Sequence, residues 1–354
     1  MDNAFVSKLL TWYETNKREL PWRNERDPYK VWISEIILQQ TRVAQGWNYY
    51  LRFIERFPDL QSVYEGGEQE VLKYWQGLGY YTRARNIYAG AVYIVEEYNG
   101  VFPSTYQEIL KIKGVGTYTA AAIASFAFRR PHAVIDGNVL RIFARIHGIY
   151  DPIDSSLGKN KISELANSLI PNDIPHLFNQ ALMDFGAIHC SPQLPKCSDC
   201  CFSLSCYANL HYEQSALPVK GHKTKTRNRF FYYLCIENKD YIYLQKRNSR
   251  DIWQGLYEFP LWETSAPLSD IYSDLTPYLQ NLLDDIPFEI IHASHAYKHV
   301  LSHQIITAVF IRLKIPHAVK QTNFLYVHRH NLADYPVSRL MEKFLNEYLE
   351  LHST

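Results

Sequence analysis

A mainly α-helical first domain followed by a smaller α+β domain is the fold this sequence predicts, and three observations predict it. Residues 1–210 carry recurrent amphipathic or wholly apolar stretches cut by short turns, with little β-branched alternation. A basic stretch, ALPVKGHKTKTRNR, then interrupts that texture; between Leu217 and Phe230 it holds five Lys/Arg and no Asp/Glu, the composition of a linker that packs poorly. Beyond it, FFYYLCIE and YIYLQKR read as two strands joined by a turn at Asn238–Asp240, and QIITAVFIRLKI as a further strand or pair. Helical patterns return at Ser269–Leu283 and Ser338–Leu351, which makes the second part α+β. The expected boundaries are 1–210, a linker over 211–229, and 230–354.

Bulk properties agree with two folded domains. A chain of 354 residues exceeds what one core usually supports, and 47% hydrophobic residues exclude a disordered chain. The formal net charge of +1 says little about nucleic acid, so the local distribution of charge has to be read. MDNAFVSKLLTWYE lacks the basic and apolar regions of a signal peptide, and no run of 18 apolar residues occurs; a soluble, intracellular protein is expected.

DPYKVWISEIILQQT predicts a helix, with Asp27 as its cap and Pro28 at its first position. Val31, Trp32, Ile33, Ile36, Ile37 and Leu38 spread almost all round the wheel, so this helix should be buried. Glu35 lies on it. A carboxylate there is costly unless paired or protonated. Two readings are open: a satisfied structural Glu, or an acid whose pKa desolvation raises toward neutrality.

YQEILKIKGVGTYTAAAIASFAF reads as helix, hairpin, helix. Gly114 and Gly116 would let the backbone turn where a Cβ clashes, leaving hairpin and first-turn amides outward and unpaired. Such amides at a helix N-terminus can hold a phosphate; a plain helix–turn–helix corner is the alternative. Farther on, AVIDGNVLRIFARI sets Asp136 at the mouth of a helix, as an N-cap or as a second carboxylate beside Glu35. A protonated acid with a carboxylate is the pairing that breaks glycosidic bonds.

The six cysteines are unevenly spread. Cys190, Cys197, Cys200 and Cys206 follow the spacing C-x6-C-x2-C-x5-C, and four thiolates so close can hold Zn²⁺ or an iron–sulfur cluster. Cys201 falls outside the spacing, and Cys235 sits alone in a strand-like run.

In their order along the chain these pieces resemble the helix-hairpin-helix DNA glycosylases with an iron–sulfur loop, and more narrowly the adenine DNA glycosylases of the MutY type. The matching stretches are LPWR (20–23), DPYKVWISEIILQQT (27–41), WQGLGYYTRARN (75–86), GVGTYTAAA (114–122), IDGNV (135–139), the four cysteines, KRNSRDIWQGLYEFP (246–260) and HVLSH (299–303). The resemblance implies a helix-hairpin-helix catalytic domain with a 4Fe-4S cluster on Cys190, Cys197, Cys200 and Cys206, and a Nudix-like domain that recognises the lesion. It implies that Glu35 protonates a flipped-out adenine and that Asp136 stabilises the cationic sugar, with Tyr118 and Asn138 orienting the two. Trp22, Arg23 and Gln180 would line the base pocket. Gln40, Thr41, Leu78 and Tyr80 would meet the opened duplex, and Gly114, Val115 and Gly116 its backbone. Leu301, Ser302 and His303 would recognise 8-oxoguanine opposite the adenine, although Leu301 stands where the family usually has Phe. Flipping is needed because the reacting bond is shielded inside the duplex.

Tyr118 also occupies the place where related thymine-glycol lyases carry a nucleophilic Lys, so the expected cut is hydrolytic and leaves an abasic site. No glutamate-rich Nudix helix follows Pro260, which argues against nucleotide hydrolysis. The competing readings are a bifunctional pyrimidine-lesion lyase, opposed by Tyr118, and a non-catalytic zinc protein that binds DNA, opposed by the Glu35–Asp136 pair. The expected partner is duplex DNA with an adenine:8-oxoguanine or adenine:guanine mispair, met by a monomer with no membrane contact. The expected location is the cytoplasm, on the nucleoid if the source is bacterial.

Overall fold

The computed structural model describes residues 2–221, 226–319 and 323–350. Contacts divide the chain into two units, Met1–Glu65 with Asn86–Lys223 and Gly66–Arg85 with Thr224–Thr354.

The helices of the first half are α1 (Asp2–Asn16), α2 (Pro28–Leu38), α3 (Val43–Arg56), α4 (Leu60–Trp75), α5 (Thr82–Tyr98), α6 (Tyr106–Ile109), α7 (Thr117–Phe126), α8 (Gly137–His147), α9 (Ser156–Leu169), α10 (Pro175–Asp184) and α11 (Tyr207–Leu210). A π turn, Phe185–His189, continues α10. Asp27 caps α2 by accepting from the Tyr29 N–H, with Pro28 in the first turn, as the sequence predicts. Eight of the eleven α2 residues are buried, in keeping with its apolar circumference. Asp136 caps α8 and Gly148, at φ +63°, closes it in the left-handed conformation. The core of this unit gathers around Phe143, Phe178, Phe185 and Phe202, where α1, α8, α9 and α10 bury their apolar stripes.

Two expectations change. The segment Gly66–Arg85, assigned by sequence to the first domain, groups with the second unit. Gly67, at φ +76°, breaks α4 at that point, and Gln76 then bonds to Glu342 (3.0 Å) and accepts from the Val337 N–H (3.3 Å). The start of the basic linker also packs rather than floats. Leu217 is buried, Ile153 donates its N–H to the Val219 carbonyl, and the Gly221 N–H reaches Asp154. Residues 222–225 of that linker, and Leu351 of the last expected helix, lie outside the described residues.

The second unit is built on β1 (Arg227–Asn238), β2 (Tyr241–Lys246), β3 (Tyr257–Glu258), β4 (Leu261–Thr264), β5 (Glu289–Ala293), β6 (Tyr297–Val300), β7 (Gln304–Lys314) and β8 (Leu325–His328), with α12 (Ile271–Leu282) and α13 (Arg339–Glu350). The main path through the sheet is β3-β2-β1-β7-β5, and β1 and β7 run parallel in register from Arg227↔Gln304 to Glu237↔Lys314. Side chains of β1 alternate between two cores. Phe231, Tyr233 and Cys235 face the layer holding Leu340, Met341 and Phe344 of α13, while Tyr232, Leu234 and Ile236 face Leu275 and Leu279 of α12. Both faces being covered, the central strand reads as the unbroken apolar run FFYYLCIE. QIITAVFIRLKI forms the single strand β7 with part of its flank. β4, β5, β6 and β8, of four or five residues each, had no sequence reading.

Candidate active site

A cavity of about 290 Å³ lies in the first unit. Glu35 from α2, Tyr118 from α7, Asp136 and Asn138 from the mouth of α8, Gln180 from α10, and Trp22, Arg23 and Thr41 from loops all line it. These eight residues, scattered over about half the chain, are brought together here.

Glu35 is 4% exposed. Tyr118 donates its hydroxyl to Glu35 Oε2 at 2.6 Å. Burial raises the carboxyl from 4.5 to about 7; the Tyr118 bond and the Arg23 charge oppose the rise, and the Asp136 charge adds to it. Asp136 is raised too, first by burial, against bonds that favour its charged form. Its Oδ1 accepts from the Val139 N–H at 2.8 Å and its Oδ2 from Asn138 Nδ2 at 2.7 Å. One carboxyl therefore holds a proton near neutrality while its neighbour is held by donors suited to an anion, a division of roles that glycoside cleavage requires.

The remaining wall is fixed by pairs the sequence did not reveal. Asp184, fully buried, accepts from Arg18 Nε and Nη2 and from Arg23 Nη2, the last at 2.6 Å. Gln180 accepts from the Tyr13 hydroxyl (3.2 Å) and donates to the Arg23 carbonyl (3.0 Å). Trp22 packs edge-on to Tyr50 at 5.4 Å. Arg141 Nη2 donates to Asn138 Oδ1 (2.8 Å), and its Nε to the Cys190 carbonyl (2.9 Å). Arg141 and Arg145, four residues apart on a helix otherwise apolar on that side, were the available signal for this bridge.

The hairpin departs in part from expectation. Gly114 has φ +78°, and a Cβ there would meet Asn86 at 2.4 Å, so glycine is required. Gly116 has φ −97°, and a Cβ there would meet nothing within 4 Å. Its lack of a side chain clears an outward face instead of relieving a clash. Val115 is buried, and its N–H is bonded to the Ile112 carbonyl at 3.1 Å, so not every hairpin amide points outward.

Of the residues expected at the opened duplex, Gln40 is exposed at φ +58° and Tyr80 is 52% exposed at φ +49°. Leu78, in the second unit, is 8% exposed. In that unit Tyr80, Trp253, Leu301, Ser302 and His303 line a cavity of about 210 Å³. The Tyr80 hydroxyl and Ser302 Oγ are 3.2 Å apart. Leu301 is half-buried against the α13-side core, leaving Ser302 and His303 exposed.

All six cysteines are free thiols, and Cys190, Cys197, Cys200 and Cys206 line one cavity with His189, Arg145 and Phe202. Arg145 holds the loop through the Leu217, Ser191 and Pro192 carbonyls and approaches Cys190 Sγ at 3.5 Å. Among the described residues no group of three or more His, Cys, Asp or Glu is placed to hold a single metal ion. Four thiols around one cavity are the donor set that a thiolate-held metal centre requires. Cys201 does not line it.

Fold and site together define a base-excision DNA glycosylase. The model of the HhH-GPD superfamily of base excision DNA repair proteins matches residues 33–168, and that of the NUDIX domain matches residues 232–347. Adenine DNA glycosylase of Buchnera aphidicola subsp. Baizongia pistaciae is 35% identical over 305 residues, covering 85% of this chain and 83% of that protein. The human adenine DNA glycosylase is 41% identical over 227 residues, covering 62% of this chain and 42% of that one. A solved thermostable thymine-DNA glycosylase aligns with TM-score 0.56 and 32% identity over 59% of this chain and 97% of its own. An endonuclease III trapped on DNA aligns with TM-score 0.52 over 58% of this chain and 94% of its own; at 23% identity it speaks for the fold alone. The chain belongs to the adenine DNA glycosylase family.

Proposed function

We propose that this protein excises adenine paired with 8-oxoguanine or guanine in duplex DNA, by hydrolysis, leaving an abasic site. The observation that carries the reading is the buried Glu35, protonated up to about pH 7, in one cavity with Asp136. An adenine turned out of the stack enters between Trp22, Arg23 and Gln180. Glu35 gives its proton to a ring nitrogen, the bond from sugar to base breaks with its electron pair leaving on adenine, and Asp136 stabilises the cationic sugar until water adds. With Tyr118 where a lyase has its amine, no Schiff base forms and the strand stays unbroken.

The hairpin at Gly114–Gly116 and the α7 N-terminus hold the phosphate backbone, while Gln40 and Tyr80 keep the duplex open. Ser302 and His303, with Leu301, read the base opposite the adenine. Cys190, Cys197, Cys200 and Cys206 would hold a 4Fe-4S cluster, which when bound fixes the loop between them. The protein acts as a monomer, in the compartment that contains the DNA; among its described residues no helix is long and apolar enough to cross a membrane.

The test is single-turnover release of adenine from duplexes with 8-oxoguanine, guanine or thymine opposite it. Release should be fastest with 8-oxoguanine, slower with guanine and negligible with thymine. No release from any duplex, by protein shown to bind DNA, overturns the reading.

A further inference from the structure

Arg229 on β1 has no part in the mechanism above and does not line the cavity of Ser302 and His303, yet both walls of that cavity are tied to it. Its side chain is 7% exposed, and each of its guanidinium N–H groups has an acceptor. Toward one wall it makes a two-pronged pair with Asp251, Nη1 to Oδ1 at 3.0 Å and Nη2 to Oδ2 at 2.7 Å. Asp251 opens the short stretch that carries Ile252, Trp253 and Gln254 into the cavity. Toward the other wall, Nη1 donates to Gln304 Oε1 at 3.0 Å. Gln304 is the first residue of β7, and its carbonyl accepts from the Leu301 N–H at 2.8 Å, which closes the turn bearing Ser302 and His303. A second two-pronged pair, Nε and Nη2 to Glu263 of β4 at 2.7 Å each, fixes the plane of the guanidinium.

We infer that Arg229 is a positioning residue for recognition of the base opposite the adenine: by joining Asp251 to Gln304 it fixes the two walls of the cavity against each other and sets where the Ser302 hydroxyl stands. The inference rests on the reading of Ser302 and His303 proposed above. 8-Oxoguanine differs from guanine along one edge, where an N–H and a carbonyl replace a lone pair and a C–H. A hydroxyl can donate or accept, so it tells these edges apart only when it is held in place. A wall free to move would adapt to either base and lose the difference. A lysine at position 229 keeps the charge but, as a point donor on a flexible stem, cannot hold two carboxylates and an amide in one plane. Arg247 Nη2 also reaches Asp251 Oδ2, at 2.6 Å, so that carboxylate keeps a cation when Arg229 is changed.

The experiment compares single-turnover adenine release from duplexes with 8-oxoguanine or guanine opposite the adenine, and reads the ratio of the two rates. In Arg229→Lys the ratio should fall by roughly threefold to tenfold, the worth of one hydrogen bond. In Arg229→Lys combined with Ser302→Ala it should match Ser302→Ala alone to within about twofold, because the position of an absent hydroxyl no longer matters. A merely structural role slows both duplexes alike and leaves the ratio where it was. Asp251→Asn cuts the clamp from the other wall, should lower the ratio in the same way, and carries the test by itself if Arg229→Lys does not fold. A parent ratio kept in the folded variants, or losses that multiply in the double variant, overturns the inference and leaves the reading of Ser302 and His303 intact. A parent that releases adenine equally from both duplexes overturns that reading and the inference with it.

Discussion

The Tyr118 hydroxyl donates to Glu35 Oε2 at 2.6 Å, joining residues 83 positions apart in the chain. This bond favours the carboxylate, burial favours the acid, and burial wins. Tyr118→Phe should therefore raise the Glu35 pKa further. In a pH–rate profile of adenine release the alkaline limb should shift to higher pH in this variant. Tyr118→Lys places an amine at the same point of the cavity and should produce measurable strand scission on a denaturing gel, which the parent should not.

Glu35→Gln removes the transferable proton and keeps the shape. Adenine release should be lost while duplex affinity, from a gel-shift titration, stays within about threefold of the parent, the change expected when one uncharged contact is altered. In the parent, release should fall once pH exceeds about 7, as the acid form is depleted.

Stability should carry the same signature. The folded-state pKa of Glu35 lies above its unfolded value, 4.5 rising to about 7, so the native state binds the proton more tightly. The resulting stabilisation is complete below about pH 4.5 and is lost as pH rises through about 7. Glu35→Gln lacks this dependence. Its stability relative to the parent should improve between pH 5 and pH 8 by roughly 2–3 kcal/mol, the size of a shift of that order. Paired urea unfolding curves at the two pH values measure it.

The two hairpin glycines should separate stability from binding. Gly114→Ala combines a left-handed φ with a clash against Asn86 and should cost roughly 1–3 kcal/mol in unfolding free energy. Gly116→Ala meets open space and should fold like the parent, yet weaken duplex binding where the backbone surface is covered.

In the second unit, Ser302→Ala removes the hydroxyl that faces Tyr80 at 3.2 Å. The preference for 8-oxoguanine over guanine opposite adenine should drop by roughly threefold to tenfold, the worth of one neutral hydrogen bond. Release from the guanine-paired substrate should change little, since Glu35 and Asp136 are untouched.

Some of this architecture was legible in the sequence because it rests on local chemistry. Asp27 and Pro28 announce α2, and Glu35 stands out as a charge on a helix apolar on every side. FFYYLCIE declares a strand buried on both faces. Other parts depend on partners far along the chain. The wall of the cavity needs Asp184 to clamp Arg18 and Arg23, and no periodicity signals an ion pair across 161 residues. β4 and β6, four residues each, hold their place through the ladders of β1 and β7 rather than by their own propensity. The Gly66–Arg85 segment has a helical pattern like its neighbours, and its place is set by long-range bonds such as those of Gln76 and Tyr81 to Glu342 and Val337.

Arg141 grips Asn138 with one guanidinium nitrogen and the Cys190 carbonyl with another, and Asn138 in turn holds Asp136. Slackening of the thiol-bearing loop is thereby felt three hydrogen bonds away, by the Asp136 carboxylate. A change in how that loop is held would in this way loosen the anchorage of Asp136 while every residue of the cavity stays the same.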